Sequence, residues 1–141
     1  MRVFRITKPK WAGKLNGSGI PARWNKAGRR MLYTSSSLAS ALLEILVHIK
    51  RDQVPDYVWL AAEVPDHLIE SSGLTEAPPD PYSAEIGTRW LETPGKVAFG
   101  VTSVIVPEQN ILLNPDHIDF IKIRWDDPVK LKVDPRLLQI P

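Results

Sequence analysis

Proline is the residue that most constrains how this chain can fold. The 141 residues include 13 prolines and 8 glycines, spread along the whole sequence. Proline has no backbone N–H donor, so it ends helices and is excluded from the interior of sheets. The elements between these breaks must therefore be short. We expect one α+β domain over residues 1–141, with a strongly bent, largely antiparallel sheet and a few helices.

The apolar runs between these breaks predict the individual elements. Alternating or continuous apolar residues indicate strands, and a 3.6-residue period indicates a helix. Strands are predicted at residues 2–6, 31–34, 57–64 and 111–113, with a strand pair or one bent strand at 97–106 and a closing hairpin formed by 118–125 and 129–133. Helical segments are predicted at residues 66–71 and 83–92, and after Ser35, Ser36 and Ser37, which are good N-cap candidates.

The helix after these serines carries an isolated glutamate, Glu44. One apolar stripe is formed by Leu38, Ala41, Leu42, Ile45, Leu46 and Ile49. Glu44 lies roughly 130° from the middle of that stripe at ~100° per residue. It is the only acidic residue among the first 51, which contain 11 lysines and arginines. Such a carboxylate either forms a structural ion pair, which is the commoner outcome, or lines a cleft with a tuned pKa.

Charge is distributed unevenly although the net charge is only +2. The first 51 residues are basic, whereas residues 52–120 contain 12 carboxylates against only Arg89 and Lys96. The basic segment could bind nucleic acid or the phosphates of a small ligand. Alternatively, the two segments neutralise each other across the folded surface. The sequence contains no helix rich in Lys or Arg and no RNA-recognition motif, which argues against nucleic-acid binding.

A loop before the second predicted strand offers a candidate phosphate-binding arginine. The glycines and serine at residues 17–19 would let backbone N–H groups approach an anion. Arg23 follows, with Trp24 and Asn25 directly after it. A guanidinium can hold phosphate with two parallel hydrogen bonds. A loop arginine is more often simply solvated, but the neighbouring tryptophan favours one that is packed and positioned.

The composition excludes several kinds of site. The chain has no cysteine, which rules out disulfides and thiolate metal ligands. Its three histidines are scattered, so no metal site is expected. The N-terminal sequence MRVFRITKPK lacks an apolar signal region, and no apolar run is long enough to span a bilayer. We therefore expect a cytoplasmic protein.

Short motifs along nearly the whole chain resemble the RES domain, a bacterial toxin family named for an Arg, a Glu and a Ser. They are Phe4-Arg5-Ile6, Ala22-Arg23-Trp24-Asn25, Tyr33-Thr34-Ser35, Ala41-Leu42-Leu43-Glu44, Thr102-Ser103, Asn110 with Asn114-Pro115, and Asp134-Pro135-Arg136. Each motif is weak alone, but their order and spacing together are specific. Pro21 and Ala22 stand where the family has two glycines, and Thr102 stands where it has proline.

The resemblance implies an ADP-ribosyltransferase-like fold and a toxin that consumes NAD⁺ as a substrate, with no cofactor. Glu44 and Arg23 would be catalytic, and NAD⁺ would be bound by Arg5, Arg23, Tyr33, Ser103 and Asn25. Members are usually encoded with a Xre-type antitoxin that blocks the pocket. The resemblance therefore implies that the toxin alone does not bind nucleic acid and that operator DNA would be bound through the antitoxin. The family often forms dimers, so the resemblance also allows a homodimer of this chain.

The chemistry of these residues agrees with that implication. Cleaving the nicotinamide–ribose bond builds positive charge on the ribose, which a carboxylate such as Glu44 can stabilise. Arg5 and Arg23 suit a pyrophosphate. Tyr33 can stack on the nicotinamide, and Ser103 can hydrogen-bond to its amide or to the ribose.

Several functions stay open from the sequence. The ADP-ribose could pass to water or phosphate, which would deplete NAD⁺ and arrest growth. It could instead pass to a host protein. A basic nucleic-acid-binding or RNA-cleaving domain ranks lower. The plainest alternative is a partner-binding module in which Glu44 only braces an arginine.

Overall fold

A computed structural model describes residues 1–50 and 54–139. The strands are β1 (Arg2–Thr7), β2 (Leu32–Ser35), β3 (Tyr57–Glu63), β4 (Ile69–Ser71), β5 (Ala98–Thr102), β6 (Gln109–Leu113), β7 (Arg124–Trp125) and β8 (Val129–Leu131). The α-helices are α1 (Leu38–Leu46) and α2 (Tyr82–Glu92). Short 3₁₀ helices are formed by Pro9–Trp11, Asp66–Leu68, Ile118–Lys122 and Pro135–Leu138.

All eight of these strands belong to one sheet with the order β4-β5-β6-β2-β1-β3-β7, and β8 also pairs with β3. Every pairing is antiparallel except that of β4 with β5. The predicted α+β architecture with a largely antiparallel sheet is therefore confirmed. No helix in the described ranges is long and apolar enough to cross a membrane.

The central strands are buried on both faces. In β6, Ile111 and Leu113 belong to one apolar cluster, and Leu112 between them belongs to a second. Successive side chains of a strand point to opposite faces, so the two clusters lie on opposite sides of the sheet. The second cluster contains Trp24 and Trp90, which bring the loop before β2 and the helix α2 onto the same face.

The prediction for α1 is confirmed at its start. Ser37 is the N-cap, and its side chain accepts a hydrogen bond from the Ser40 backbone N–H at 3.0 Å. The helix ends at Leu46, so Ile49, the last residue of the predicted stripe, lies beyond it. The prediction for 83–92 is also confirmed, because α2 spans Tyr82–Glu92.

The predicted closing hairpin is wrong. Residues 118–122 form a 3₁₀ helix, and β7 and β8 both pair with β3 at successive stretches of its length. The backbone N–H of Asp126 also donates to the Ala61 carbonyl at 2.8 Å, so the chain continues along β3 after β7. Alternating side chains indicate strands but do not reveal the strand with which each one pairs.

Two further boundaries differ from the prediction. The segment 66–71 divides into a 3₁₀ turn and the strand β4. The strand predicted over 97–106 ends at Thr102, because a tight loop follows in which the Ser103 N–H donates to the Glu108 carbonyl at 2.9 Å. This early end matters for the site, since it places Ser103 directly after the last residue of β5.

Candidate active site

A cleft of about 970 Å³ opens beside α1. Its walls come from the loop at residues 21–27, the end of α1 at 44–48, the start of α2 at 80–84 and residues 104–105 after β5. Tyr33 and Glu44 also line a smaller adjoining cavity of about 140 Å³, together with Arg5 and Asn110. The two cavities therefore meet at Tyr33 and Glu44.

Glu44 is held by two neutral donors. Its Oε1 accepts hydrogen bonds from Ser103 Oγ at 2.6 Å and from Asn110 Nδ2 at 3.0 Å. Its Oε2 accepts none from any residue in the described ranges. No lysine or arginine there lies within ion-pair distance of the carboxylate, so the structural ion pair considered above does not occur among these residues. One oxygen is fixed, and the other is free to face a ligand.

The sheet register explains how the two donors reach Glu44. In the antiparallel pair of β5 and β6, Val101 lies opposite Asn110 and Thr102 lies opposite Gln109. Ser103 follows at the end of β5, so its side chain comes near that of Asn110. The network extends further, because Asn110 Oδ1 accepts from Ser35 Oγ at 3.1 Å and Ser103 Oγ accepts from the Ile105 N–H at 3.0 Å.

Asn25 organises the loop that carries Arg23. It is only 2% exposed. Its amide nitrogen donates to the carbonyls of Ile20 and Arg29 at 3.0 Å and of Lys26 at 3.3 Å. Its Oδ1 accepts from the Tyr33 hydroxyl. Because every polar atom of its side chain is engaged, Asn25 shapes the cleft wall and offers no free group to a ligand.

Tyr33 connects this loop to the cleft. Its hydroxyl accepts a hydrogen bond from the Trp24 backbone N–H at 3.0 Å and donates to Asn25. The pKa of Tyr33 is raised to about 12, mainly by burial; the Trp24 N–H opposes this rise, and the nearby Asp80 carboxylate adds to it. The phenol is therefore neutral at physiological pH. Its ring lines both cavities and can present an apolar face to a ligand.

Arg23 lies in the wall of the large cleft and is already engaged. Its Nη1 lies 3.7 Å from Asp80 Oδ2, and its Nη2 donates to the Pro78 carbonyl at 3.3 Å. Its Nε is buried and has no acceptor among the described residues. The guanidinium is therefore oriented towards the start of α2, and a bound anion would share it with Asp80.

Arg5 lines the small cavity rather than the large cleft. Its Nη1 is buried without a hydrogen-bond partner in the described part of the chain. Burial lowers the pKa of Arg5, yet a guanidinium remains protonated in proteins. Burying a charged group without a hydrogen-bond partner costs free energy. An anion or a ligand oxygen that enters the small cavity can accept a hydrogen bond from this nitrogen and so offset that cost.

The structure thus gathers the residues singled out from the sequence around two joined cavities. Arg5, Arg23, Tyr33 and Glu44 line them, and Ser103 donates a hydrogen bond to Glu44. Residue patterns gave no role to Asn110, Lys26 or Asp80, which are also at the site. Asn110 belongs to one of the RES motifs, but it directly precedes the predicted strand 111–113, and no residue pattern there indicates a role at the site. The two charged residues lie in loops, where no periodicity indicates the direction of a side chain.

The fold is also that of a known toxin. In the solved M. tuberculosis MbcT–MbcA toxin–antitoxin complex, one chain matches this structure with a TM-score of 0.71 at 15% identity. The match covers 97% of this chain and 86% of that chain. At this identity the likeness shows the fold alone. The predicted ADP-ribosyltransferase-like α+β fold is thereby confirmed.

Sequence comparison identifies the family. The RES domain model matches residues 2–134. Toxin Res of Photorhabdus laumondii is 32% identical, over 99% of this chain and 98% of that protein. Toxin Res of Yersinia enterocolitica and the Prs ADP-ribosylating toxin of Sphingobium sp. are each 33% identical, over 97% and 98% of this chain. The chain belongs to the RES domain family, as its motifs predicted.

Proposed function

We propose that this protein is the toxin of a toxin–antitoxin system and that it cleaves the nicotinamide–ribose bond of NAD⁺. The observation that carries the proposal is the carboxylate of Glu44. Ser103 and Asn110 bind one of its oxygens, and the other is free beside a cleft of about 970 Å³. That volume is at the upper end of the range typical of ligand pockets, ~300–1,000 Å³.

The carboxylate suits the charge that develops in the reaction. When the bond between the nicotinamide nitrogen and ribose C1′ breaks, the electron pair leaves with the nicotinamide, which becomes neutral. Positive charge then develops on C1′ and the ring oxygen. A fixed carboxylate stabilises that charge most when its orientation is set beforehand, as the two donors set that of Glu44. Water or phosphate then bonds to C1′ and loses a proton.

The other residues that line the two cavities can each bind a different part of NAD⁺. Arg23 and Lys26 line the large cleft and provide positive charge for the pyrophosphate. Arg5 has an unpaired buried nitrogen in the small cavity beside Glu44, where it can bind a ribose or phosphate oxygen. Tyr33 stands where the cavities meet and can pack against the nicotinamide ring. Asn25 acts indirectly, by holding the loop.

Consumption of NAD⁺ by the purified protein tests the proposal. Glu44→Gln keeps the shape of the side chain and removes its charge, so NAD⁺ consumption should fall by at least ~100-fold. Glu85→Gln, an exposed change on α2 outside the cleft, should consume NAD⁺ at the unaltered rate. Melting temperatures of both variants should match that of the parent protein. Undiminished NAD⁺ turnover by Glu44→Gln would show that the carboxylate of Glu44 is not needed for cleavage.

Transfer of ADP-ribose to a protein is a second candidate, favoured by one relative. The Sphingobium protein named as a Prs ADP-ribosylating toxin is 33% identical over 98% of this chain. Adenine-labelled NAD⁺ added to a cell lysate separates the candidates. A discrete labelled protein supports transfer. Labelled ADP-ribose, or its phosphorylated form when phosphate is supplied, supports release to water or phosphate.

The proposal includes an antitoxin that covers the cleft, for which the RES resemblance suggests the Xre type. The solved structural neighbour is a toxin–antitoxin complex, and three relatives are named as toxins. Exposed apolar side chains on the cleft wall, Val47 and Val104, suit burial by such a partner. Co-expression with the adjacent gene product should yield a complex that consumes no NAD⁺.

A further inference from the structure

Asp80 is the second carboxylate that lines the large cleft, and the NAD⁺ chemistry described above does not use it. Its Oδ2 lies 3.7 Å from Arg23 Nη1, and its Oδ1 accepts a hydrogen bond from Ser83 Oγ at 2.9 Å. The side chain is 64% exposed, so a ligand in the cleft can reach it. Its charge is also felt by the Tyr33 phenol, whose pKa is raised first by burial and then by Asp80.

Two features fix this charge in position. Ser83 is fully buried in the first turn of α2, so its hydroxyl is a stationary anchor for the carboxylate. Asp80 also precedes the N-terminus of α2, an 11-residue helix, where the helix dipole favours negative charge. The position of Asp80 therefore does not depend on the weaker contact with Arg23.

The consequence is a cleft with limited capacity for negative charge. Asp80 balances Arg23, which leaves the ammonium of Lys26 as the cleft cation without a carboxylate partner in the described ranges. Arg23, Lys26 and Asp80 together carry a net charge of +1, so the two negative charges of a dinucleotide pyrophosphate already engage both cations. A further phosphate would find no other lysine or arginine among the described residues of this wall and would face the carboxylate of Asp80 at close range, where like charges repel.

We propose that Asp80 is a specificity-determining residue that makes the cleft accept NAD⁺ and reject NADP⁺. This inference rests on the proposed function and concerns the same cleft. Oδ2 of Asp80, which has the 3.7 Å contact with Arg23 but accepts no hydrogen bond from the described residues, can accept one from an adenosine ribose hydroxyl, the group that NADP⁺ replaces with a phosphate. Acidic side chains make the same distinction in other dinucleotide sites, by binding the ribose 2′-hydroxyl.

The test compares kcat/KM for NAD⁺ and NADP⁺ in the purified protein. The parent protein should prefer NAD⁺, and Asp80→Asn should shift the ratio of the two constants towards NADP⁺ by about tenfold, a value discounted for the exposure of the carboxylate. Asp116→Asn is the matched control, because Asp116 pairs with Arg30 at 2.6 Å outside the cleft and is similarly exposed. Its ratio should equal that of the parent.

A second variant keeps the inference testable if Asp80→Asn does not fold. Ala84 lies one helical turn after Asp80 and lines the cleft. Ala84→Lys should bring an ammonium near Asp80 and shift the ratio in the same direction. An unchanged ratio in both variants, or a parent protein that uses both dinucleotides equally, would overturn the role of Asp80. A parent protein that consumes neither would instead overturn the proposed function.

Discussion

At Glu44, two side chains donate to the same carboxylate oxygen. Ser103 directly follows β5 and Asn110 lies in β6, 59 and 66 residues away from Glu44 in sequence. Each donor alone limits the rotation of the carboxylate, and together they fix its plane. Neutral donors can hold a carboxylate without cancelling its charge, whereas an arginine would have neutralised it. The proposed catalytic role of Glu44 requires a carboxylate that keeps its charge in this way, which a structural ion pair would not allow.

The shared oxygen leads to a prediction about combined substitutions. Ser103→Ala and Asn110→Ala should each lower kcat for NAD⁺ about tenfold, because one donor still holds Glu44. The double variant releases the carboxylate, so its loss should exceed the product of the two single losses. Steady-state kinetics of all four proteins measure this coupling.

A control and a contrary result complete that experiment. Ser71→Ala removes an exposed hydroxyl whose contact is the Gly73 N–H at 3.1 Å, so kcat should not change. If the loss of kcat in the double variant equals the product of the two single losses, Ser103 and Asn110 act on the reaction separately rather than through Glu44.

The helix α2 fixes the loop of Arg23 by a backbone contact. A Cβ added at Gly87 would lie 1.8 Å from the carbonyl oxygen of Trp24. One residue further along, Thr88 Oγ1 accepts a hydrogen bond from the Lys26 N–H at 3.0 Å. Gly87 is needed for close packing, since its φ is not in the left-handed region. The helix therefore sets the position of residues 23–26 against the cleft.

Gly87→Ala should accordingly disturb both stability and substrate binding. The clash is with backbone, which cannot rotate away, so the free energy of unfolding should fall by about 3 kcal/mol or more. KM for NAD⁺ should rise with the displaced loop. Gly13→Ala is the matched control, because a Cβ there meets nothing within 4 Å. Thermal and denaturant unfolding measure the first effect. A Gly87→Ala protein as stable as the parent would contradict this contact.

Elements encoded by local patterns were predictable, and contacts set by strand pairing were not. The apolar stripe and the three serines predicted α1 with its Ser37 cap, alternation predicted β1, and a nearly continuous apolar run predicted β3. The contact of Asn110 with Glu44 depends on how β5 pairs with β6, which no local pattern specifies. The same limitation explains the wrong hairpin, because β7 and β8 both pair with β3.

Across the whole molecule, ion pairs balance part of the uneven charge of the sequence. Arginines of the basic segment pair with carboxylates of the acidic one: Arg23 with Asp80, Arg29 with Glu92 at 2.7 Å and Arg30 with Asp116 at 2.6 Å. Exposed pairs of this kind contribute little to stability, about 0–1 kcal/mol each. Their main effect is on the electric field, since each pair removes one cation that nucleic acid could bind.

This balance predicts weak, strongly salt-dependent binding to DNA. The parent protein should bind a short duplex with Kd above about 100 μM near 150 mM salt. The variant Glu92→Gln with Asp116→Asn frees Arg29 and Arg30, so it should bind more tightly, with a salt slope steeper by about two phosphate contacts. Fluorescence anisotropy across a salt series measures both quantities. Glu76→Gln with Glu85→Gln changes the net charge equally but frees no arginine, because neither glutamate has a partner among the described residues. If that control matched the first variant, net charge rather than the release of paired arginines would govern binding.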